Sequence, residues 1–547
     1  MRGLHAKGAS ADAPVDALRL LRNCVIFTLA FGLAAHAYCY FNLTLSHDAL
    51  FSLYRQDMAG QIQLGRFMHV PYQMVRGDIT APALIGFLSL AFLSCASYLT
   101  VRLLDIRSTP LVALVCGVLA TNIVFALTNA SYLHESDMYM LALLLACGAV
   151  WCCRRWRHGW LAGAVLAALS LGFYQAYFSV ALMLFIMVAI GRALDGASPK
   201  QVLAEIAPML GTAVLGFALY LVVVFATTSL SGVGFSSGYN GLESAGDFSG
   251  SSIPALIAKT WLYPLRFLWT PEGLYPRATG VLNVVLSLAV LAMLAWLMRK
   301  ERVGAGGVVI VLVLLALMPF AANYVFFIAK GVVHALMVFA FFYWYVFGLQ
   351  LVQRCADIAG WGSGLPFGNG RMGGAGRSSA GDGESKALPA VTTCVVSLVC
   401  ACLVVFGIVF ANQAYFKKQL QFEATELTVN RVLDRVEQLD GYVPGQTPVW
   451  LAGSFHGSPL LAERAGFENV QGTGFYWQSA ITYDEACYFS EILGYPINLL
   501  NDAQAAAVVD LAAVERMGVF PAGDSAQMLN DVAVVRLSSD LLEDETE

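Results

Sequence analysis

Eleven times between residues 24 and 411 the chain runs apolar for long enough, or nearly long enough, to cross a bilayer, and nothing else in it narrows the possible folds as much. An apolar stretch of about twenty residues rises about 30 Å as an α-helix, the thickness of a hydrocarbon core. In lipid each backbone N–H and C=O must find its partner within the segment, so such stretches are read as helices. They occupy 24–41, 81–101, 110–127, 138–152, 160–174, 177–190, 208–227, 281–298, 303–327, 332–352 and 391–411. Composition agrees: 58% of the 547 residues are hydrophobic and 13% are charged, about half the charged share of a soluble protein. The expected fold class is mainly α, a polytopic membrane protein of about eleven transmembrane helices.

The stretch 160–190 needs a decision, because its two runs of roughly fifteen residues reach only about 22 Å each. A single crossing there inverts every later loop. With two crossings the basic clusters fall on one side: Arg2, Lys7, Arg19 and Arg22; Arg102 and Arg107; Arg154, Arg155 and Arg157; Arg192 and Lys200; Arg299, Lys300 and Arg302; and Arg354, Arg371, Arg377 and Lys386. The positive-inside rule makes that side cytoplasmic. The expectation is therefore a multi-pass protein of the cell membrane, its N-terminus cytoplasmic and its C-terminus extracytoplasmic, with the first run an uncleaved helix.

Three external segments are then large enough for chemistry: 42–80, 229–280 and everything after 412. Within the second, 253–269 carries Trp261, Tyr263, Phe267 and Trp269 beside Lys259 and Arg266, which suits a helix lying in the membrane interface. The Gly- and Ser-rich stretch 360–383 reads as a linker. After the last span, 415–438 and 502–517 have helical character, and 448–452 and 532–537 look like buried strands. The chain thus divides into a transmembrane domain, 1–411, and a small extracytoplasmic α/β domain, 412–547. The net charge of −5, with basic residues crowding short segments between apolar runs and acidic residues crowding the C-terminal third, argues against nucleic acid as a partner. Cysteine spacing gives neither a disulfide framework nor a metal motif.

The densest polar cluster stands just after the first run, in Ser46-His47-Asp48, then Asp57, then Gly65-Arg66-Phe67. For any one of these a solvated loop residue is an equal reading. A second acidic group, His134-Glu135-Ser136-Asp137, precedes the fourth run. Its two carboxylates can hold a divalent cation if one is required, or cap the next helix. Tyr174-Gln175 belongs either to a site or to an aromatic belt. His36 and His334, within runs, read as neutral histidines hydrogen-bonded between helices.

An Asp just after the first span, a Gly-Arg pair about twenty residues on, Gly172-Phe173-Tyr174-Gln175-Ala176 after a short fifth span, and Met517-Gly518-Val519-Phe520-Pro521 followed by Val532-Ala533-Val534-Val535-Arg536-Leu537 together resemble the Gtr-type O-antigen glucosyltransferases, of the GT-C superfamily. Relatives with two acids after the first span contrast with His47-Asp48 here, which leaves open whether a second carboxylate assists Asp48. The resemblance implies transfer of a hexose, glucose above all, from a polyprenyl phosphate to a cell-surface glycan on the outer face, with no cofactor. On that reading Asp48 is the general base of an inverting transfer. Arg66, Lys259 and Arg266 are the cations for the departing phosphate, Arg66 first among them because it shares a loop with Asp48. His47, Asp57, Tyr174 and Gln175 are substrate-binding candidates. No nucleotide-binding glycine fingerprint follows a strand, which agrees with a lipid-linked donor. The rival reading is a transporter or flippase for a lipid-linked substrate, a class marked by internal repeats that this chain does not display.

Overall fold

A computed structural model describes residues 14–43, 53, 57–234, 252–269, 277–331, 334–361, 383–455, 461 and 488–541. Its first nine helices are α1 (Pro14–Phe41), α2 (Met58–Gln63), α3 (His69–Arg76), α4 (Pro82–Leu103), α5 (Thr109–Thr121), α6 (Ile123–Ser131), α7 (Ser136–Arg155), α8 (Gly159–Phe173) and α9 (Phe178–Leu194). There follow α10 (Pro199–Ser231), α11 (Ile253–Trp269), α12 (Arg277–Lys300), α13 (Ala305–Ala322), α14 (Tyr324–Ile328), α15 (Tyr343–Ala359), α16 (Gly383–Glu437), α17 (Asp502–Ala506) and α18 (Leu511–Glu515). Among the described residues nine helical segments, α5 and α6 counting as one, are long and apolar enough to cross a membrane, and α8 is a shorter apolar helix.

Three apolar runs are less regular than expected. The run 110–127 breaks at Asn122, whose Oδ1 accepts from the Phe125 N–H at 2.9 Å while its Nδ2 donates to the Leu119 carbonyl at 2.7 Å. His36 reaches into this break: Nε2 donates to the Ala120 carbonyl at 2.7 Å, which leaves Nδ1 to accept from the Tyr415 hydroxyl at 2.6 Å. His36 is thus a buried tie between three helices, as its place in an apolar run suggested. The run 303–327 ends as a helix at Ala322, and Asn323 turns its amide to the Thr260 carbonyl at 3.1 Å. The expected span 332–352 is displaced: two 3-10 turns, Ala335–Met337 and Phe339–Phe342, come first and the α-helix starts only at Tyr343. Aromatic packing fixes those turns, with the Phe339 ring 5.4 Å from that of Tyr177 and the Phe341 ring 5.3 Å from that of Phe267.

The ends of the helices answer the question posed by 160–190. Arg192 and Asp195, at the end of α9, pair with Glu205 at 3.0 Å and Arg354 at 2.7 Å, and Arg107 pairs with Asp357 at 3.1 Å. Asp105 lies in this same group, near Arg154, Arg107 and Arg354, and burial pushes its carboxyl above the ordinary range. Residues 173–177 lie at the other end, beside Arg66 and Phe67. α8 and α9 therefore run in opposite directions, and of the two only the segment that contains α9 is long and apolar enough to cross a membrane.

The last apolar run continues without a break into α16, whose 55 residues rise about 82 Å, far more than a bilayer needs. Up to Tyr415 it packs in the helical bundle; from Phe422 it packs in a second core with Val429, Val432, Leu433 and Val436. That core belongs to a four-stranded sheet of β1 (Pro448–Ala452), β2 (Asn498–Leu499), β3 (Ala526–Leu529) and β4 (Val532–Arg536), in the order β2-β1-β4-β3, with only β3 and β4 antiparallel. The expected helix over 502–517 is two short ones, restarted where the Asp510 side chain accepts from the Ala512 N–H at 3.1 Å. Leu53, from the first loop, is buried in the core of this sheet domain, and its carbonyl accepts from the Thr80 N–H at 2.9 Å. The loop after α1 is thereby fastened to the domain after α16.

Candidate active site

The segment after α2 is shaped by its backbone. Asp57 caps α2, its Oδ1 accepting from the Gly60 N–H at 3.0 Å, and Gly65 at φ 74° turns the chain back on itself. Phe67 then seats its ring on Gly172, where a Cβ would come within 2.4 Å of it, and the Met68 N–H donates to the Gly172 carbonyl at 3.0 Å. Arg66 is carried between these anchors onto the ring of Tyr174, with its guanidinium carbon 4.8 Å from the centroid.

Arg66 faces Glu135. Its Nη1 donates to Glu135 Oε2 at 3.2 Å and to Gln61 Oε1 at 3.3 Å, while Gln61 Nε2 donates to Glu135 Oε1 at 2.6 Å and the Tyr139 hydroxyl closes on Oε2. The Glu135 side chain is 2% exposed and that of Arg66 17%, and Arg66 Nε is buried with no hydrogen-bond partner. Burial pulls the Arg66 pKa down, but Tyr139 and Glu135 together hold it above its ordinary value, so the cation is permanent. His69 lies under the pair: its Nε2 donates to the Phe173 carbonyl at 2.9 Å and its bare Nδ1 stands 3.7 Å from Glu135 Oε1. Burial pushes the His69 pKa down to about 4 against the pull of Glu135, so the ring is neutral.

A second pair repeats the arrangement, with Arg76 ten residues after Arg66 and Asp137 two residues after Glu135. Arg76 Nη1 donates to Asp137 Oδ1 at 2.9 Å and to the His134 carbonyl at 2.9 Å, and the Tyr72 hydroxyl donates to Asp137 Oδ2 at 2.8 Å. Gln175 completes the wall, its Nε2 donating to the Leu64 carbonyl and its own carbonyl accepting from the Tyr324 hydroxyl at 2.5 Å. α8, only fifteen residues long, tops out about 22 Å along its axis, so the irregular backbone of 174–177 is sunk within the bundle and satisfied by these side chains.

The structure therefore brings together Arg66, Tyr174, Gln175, Glu135 and Asp137, all named by the sequence, and adds Gln61, His69, Tyr72, Arg76 and Tyr139. It puts Asp57 to use as a helix cap. Asp48 and His47 lie outside the described residues. Lys259 and Arg266 stand on the exposed side of α11, which buries Leu256, Thr260, Pro264 and Phe267; neither is bonded to the two buried carboxylates. Glu135 and Asp137 are turned to separate guanidinia, and among the described residues no three metal-ligating side chains converge. Capping of α7 accounts for little of them: only Asp137 accepts a backbone N–H, that of Met138, at 3.0 Å.

A family model described as glucosyl transferase GtrII matches residues 37–351, more than half of the chain. The chain belongs to this glucosyl transferase family. The matched region holds both ion pairs, the loop after α1 and α11, and it stops before the sheet domain. No curated protein and no solved structure matches the chain. In this GtrII-family protein the C-terminal motif has a structural part: Arg536 Nη1 donates to the Glu515 and Met517 carbonyls at 2.7 Å each, tying β4 to the chain beyond α18.

Proposed function

We propose that this GtrII-family protein transfers a glucosyl unit from a polyprenyl phosphate to a cell-surface glycan on the outer face of the membrane, with inversion at the anomeric carbon. The observation that carries the reading is the Arg66 cluster: a permanent guanidinium, stacked on Tyr174 and braced by Glu135, its Nε without a partner, at the end of the bundle away from Arg107, Arg192 and Arg354. By the positive-inside rule that arginine-rich end is cytoplasmic, so the Arg66 end and the sheet domain are external. A preorganised cation stabilises the negative charge that gathers on the departing lipid phosphate. Asp48, seven residues beyond the end of α1, is the general base that takes the proton of the acceptor hydroxyl. Tyr174 and Gln175 hold the Arg66 loop in place, His47 stands beside the base, and Lys259 and Arg266 meet lipid phosphate from the membrane side of α11.

The test is turnover by purified protein in nanodiscs, with radiolabelled polyprenyl phosphate glucose and a lipid-linked acceptor glycan, and the anomeric configuration of the product read by NMR. The expected product has the configuration opposite to the donor's. Use of a soluble nucleotide sugar in place of the lipid donor, or a retained configuration, overturns the proposal.

A further inference from the structure

Helix α3 is inside out. Its sequence, HVPYQMVR, buries His69 and Gln73 completely and leaves the Arg76 side chain 2% exposed, while Met74 and Val75 on the opposite side are 79% and 88% exposed. A helix at a water boundary buries its apolar face, so the medium against Met74 and Val75 is apolar. Phe41 at the end of α1, Ile79 before α4, and Leu84 and Phe87 in its first turns are exposed as well, and α1 and α4 meet where the Tyr40 ring packs on Gly86. α1 and α4 are membrane-crossing helices, and the occupant of this apolar surface is the bilayer. α3 thus has lipid on one side and the ion-paired cluster on the other.

On the inward side the hydrogen bonding is incomplete. Arg76 Nη2 and both polar atoms of the Gln73 amide are buried and have no partner. A buried donor left unbonded loses its hydration with nothing in return, and a charged one loses most, so a missing acceptor is the natural reading. Asp137 does not supply it: one oxygen is taken by Arg76 Nη1 and the Met138 N–H, the other by Tyr72. The unbonded Arg76 Nη2 calls for an acceptor, and a lipid-anchored phosphate reaching the cluster from the bilayer supplies one whose charge and shape suit a guanidinium. We propose that Arg76 is a second phosphate-binding residue, taking the phosphate of a membrane-anchored polyprenyl donor whose hydrocarbon chain lies along the Met74 and Val75 side of α3, with Asp137 as the residue that positions it.

This deepens the transfer reading and rests on it. In that reaction the bond between the anomeric carbon and the phosphate oxygen breaks with its electron pair going to phosphate, the acceptor oxygen bonds to carbon, and its proton goes to Asp48. A diester with one negative charge becomes a monoester that carries up to two. A second guanidinium beside Arg66 answers that added charge, and its planar fork suits phosphate oxygens.

The test is equilibrium binding of radiolabelled geranyl phosphate to the full chain in phosphatidylcholine nanodiscs, without any turnover. Arg76→Gln alone strands a buried carboxylate, so the informative variant is Arg76→Gln/Asp137→Asn, which stays neutral and is checked for a monodisperse, wild-type melting profile. It is expected to weaken binding by about tenfold or more, and by more than Asp137→Asn alone, which keeps the guanidinium but loosens its position. A merely structural ion pair predicts the reverse, with the single change the more harmful. Double-variant binding equal to wild type, while Arg66→Gln loses it, removes Arg76 from the site and leaves the transfer reading intact. Displacement of geranyl phosphate by added phosphatidylglycerol makes Arg76 a site for bulk lipid headgroups and overturns the proposal. Wild type that binds no geranyl phosphate counts against the transfer reading itself, and Arg76 falls with it.

Discussion

Arg66 is built into the fold by its ion pair, and on the proposed function its charge also serves the leaving phosphate; two variants separate these roles. In Arg66→Ala the Glu135 carboxylate keeps Gln61 and Tyr139 but loses its countercharge while 2% exposed. Removing one partner of a buried pair costs about 3–5 kcal/mol. Because the Arg66 side is 17% exposed, the lower end applies, about 3 kcal/mol, or roughly a hundredfold in the folded-to-unfolded ratio. Arg66→Ala/Glu135→Gln removes the stranded charge while keeping an amide that bonds Tyr139, and most of the lost stability should return. Its turnover should not return, because the stabiliser of the leaving phosphate is gone, a loss of about 10²-fold or more. Arg66→Lys, which keeps charge but loses the stack on Tyr174 and the fork, should lie between, down about tenfold. The assays are the temperature at which the detergent-solubilised protein loses its monodisperse peak, and transfer from labelled polyprenyl phosphate glucose. Full turnover in the double variant refutes the phosphate role; equal stability of single and double variants refutes the buried pair.

Asp48→Asn is expected to cut turnover by about 10²- to 10⁴-fold with donor binding little changed, whereas Asp57→Asn, which still caps α2, should leave turnover within about threefold; the reverse order in the transfer assay reassigns the base. His69 is buried neutral with its pKa lowered to about 4 from an ordinary value near 6.5, so the unfolded chain binds the proton that the native state refuses and stability falls as pH drops from about 6.5 towards 4. The loss between pH 7 and 5 is on the order of 2 kcal/mol, and His69→Gln should melt with a flatter pH profile over that window; an unchanged slope counts against it. Gly172→Ala puts a methyl group into the Phe67 ring and should cost about 1–3 kcal/mol together with much of the turnover, because Phe67 anchors the Arg66 loop; wild-type melting and transfer would show that the ring has room to move.

Hydropathy made the helices legible because a span must satisfy its own backbone and present apolar side chains all round, and these demands leave runs that composition alone reveals. Short continuous apolar runs likewise located β1 over 448–452 and β4 to within a residue of its end, as strands buried on both faces. The breaks at Asn122 and Asn323 were not legible, since one asparagine hardly changes the mean of an apolar window, yet its amide can replace the lost ladder bonds from within. The continuity of α16 was hidden for a related reason: the change from lipid-facing to polar composition near residue 415 looks like the end of a helix, but only the solvent changes there, not the backbone.

The site was half legible, and the missing half follows from the medium. Residues 42–80 read as a solvated loop because His69, Tyr72, Gln73 and Arg76 are polar, and in water polar means outward. Next to lipid the inference inverts. The spacing of these four residues, i, i+3, i+4 and i+7, is one face of a helix, and Met74 and Val75 fall on the other. In a chain whose surroundings are largely hydrocarbon, a short helix with one polar and one apolar face has to turn the polar one towards protein. That places three of the four beside the only acids in the neighbouring short loop, Glu135 and Asp137, some sixty to seventy residues away in sequence. Read in that way, the E-x-D spacing ceases to suggest a cation site. Two carboxylates on consecutive turns, buried at a bundle end, call for two guanidiniums, and the loop after α1 offers Arg66 and Arg76 ten residues apart.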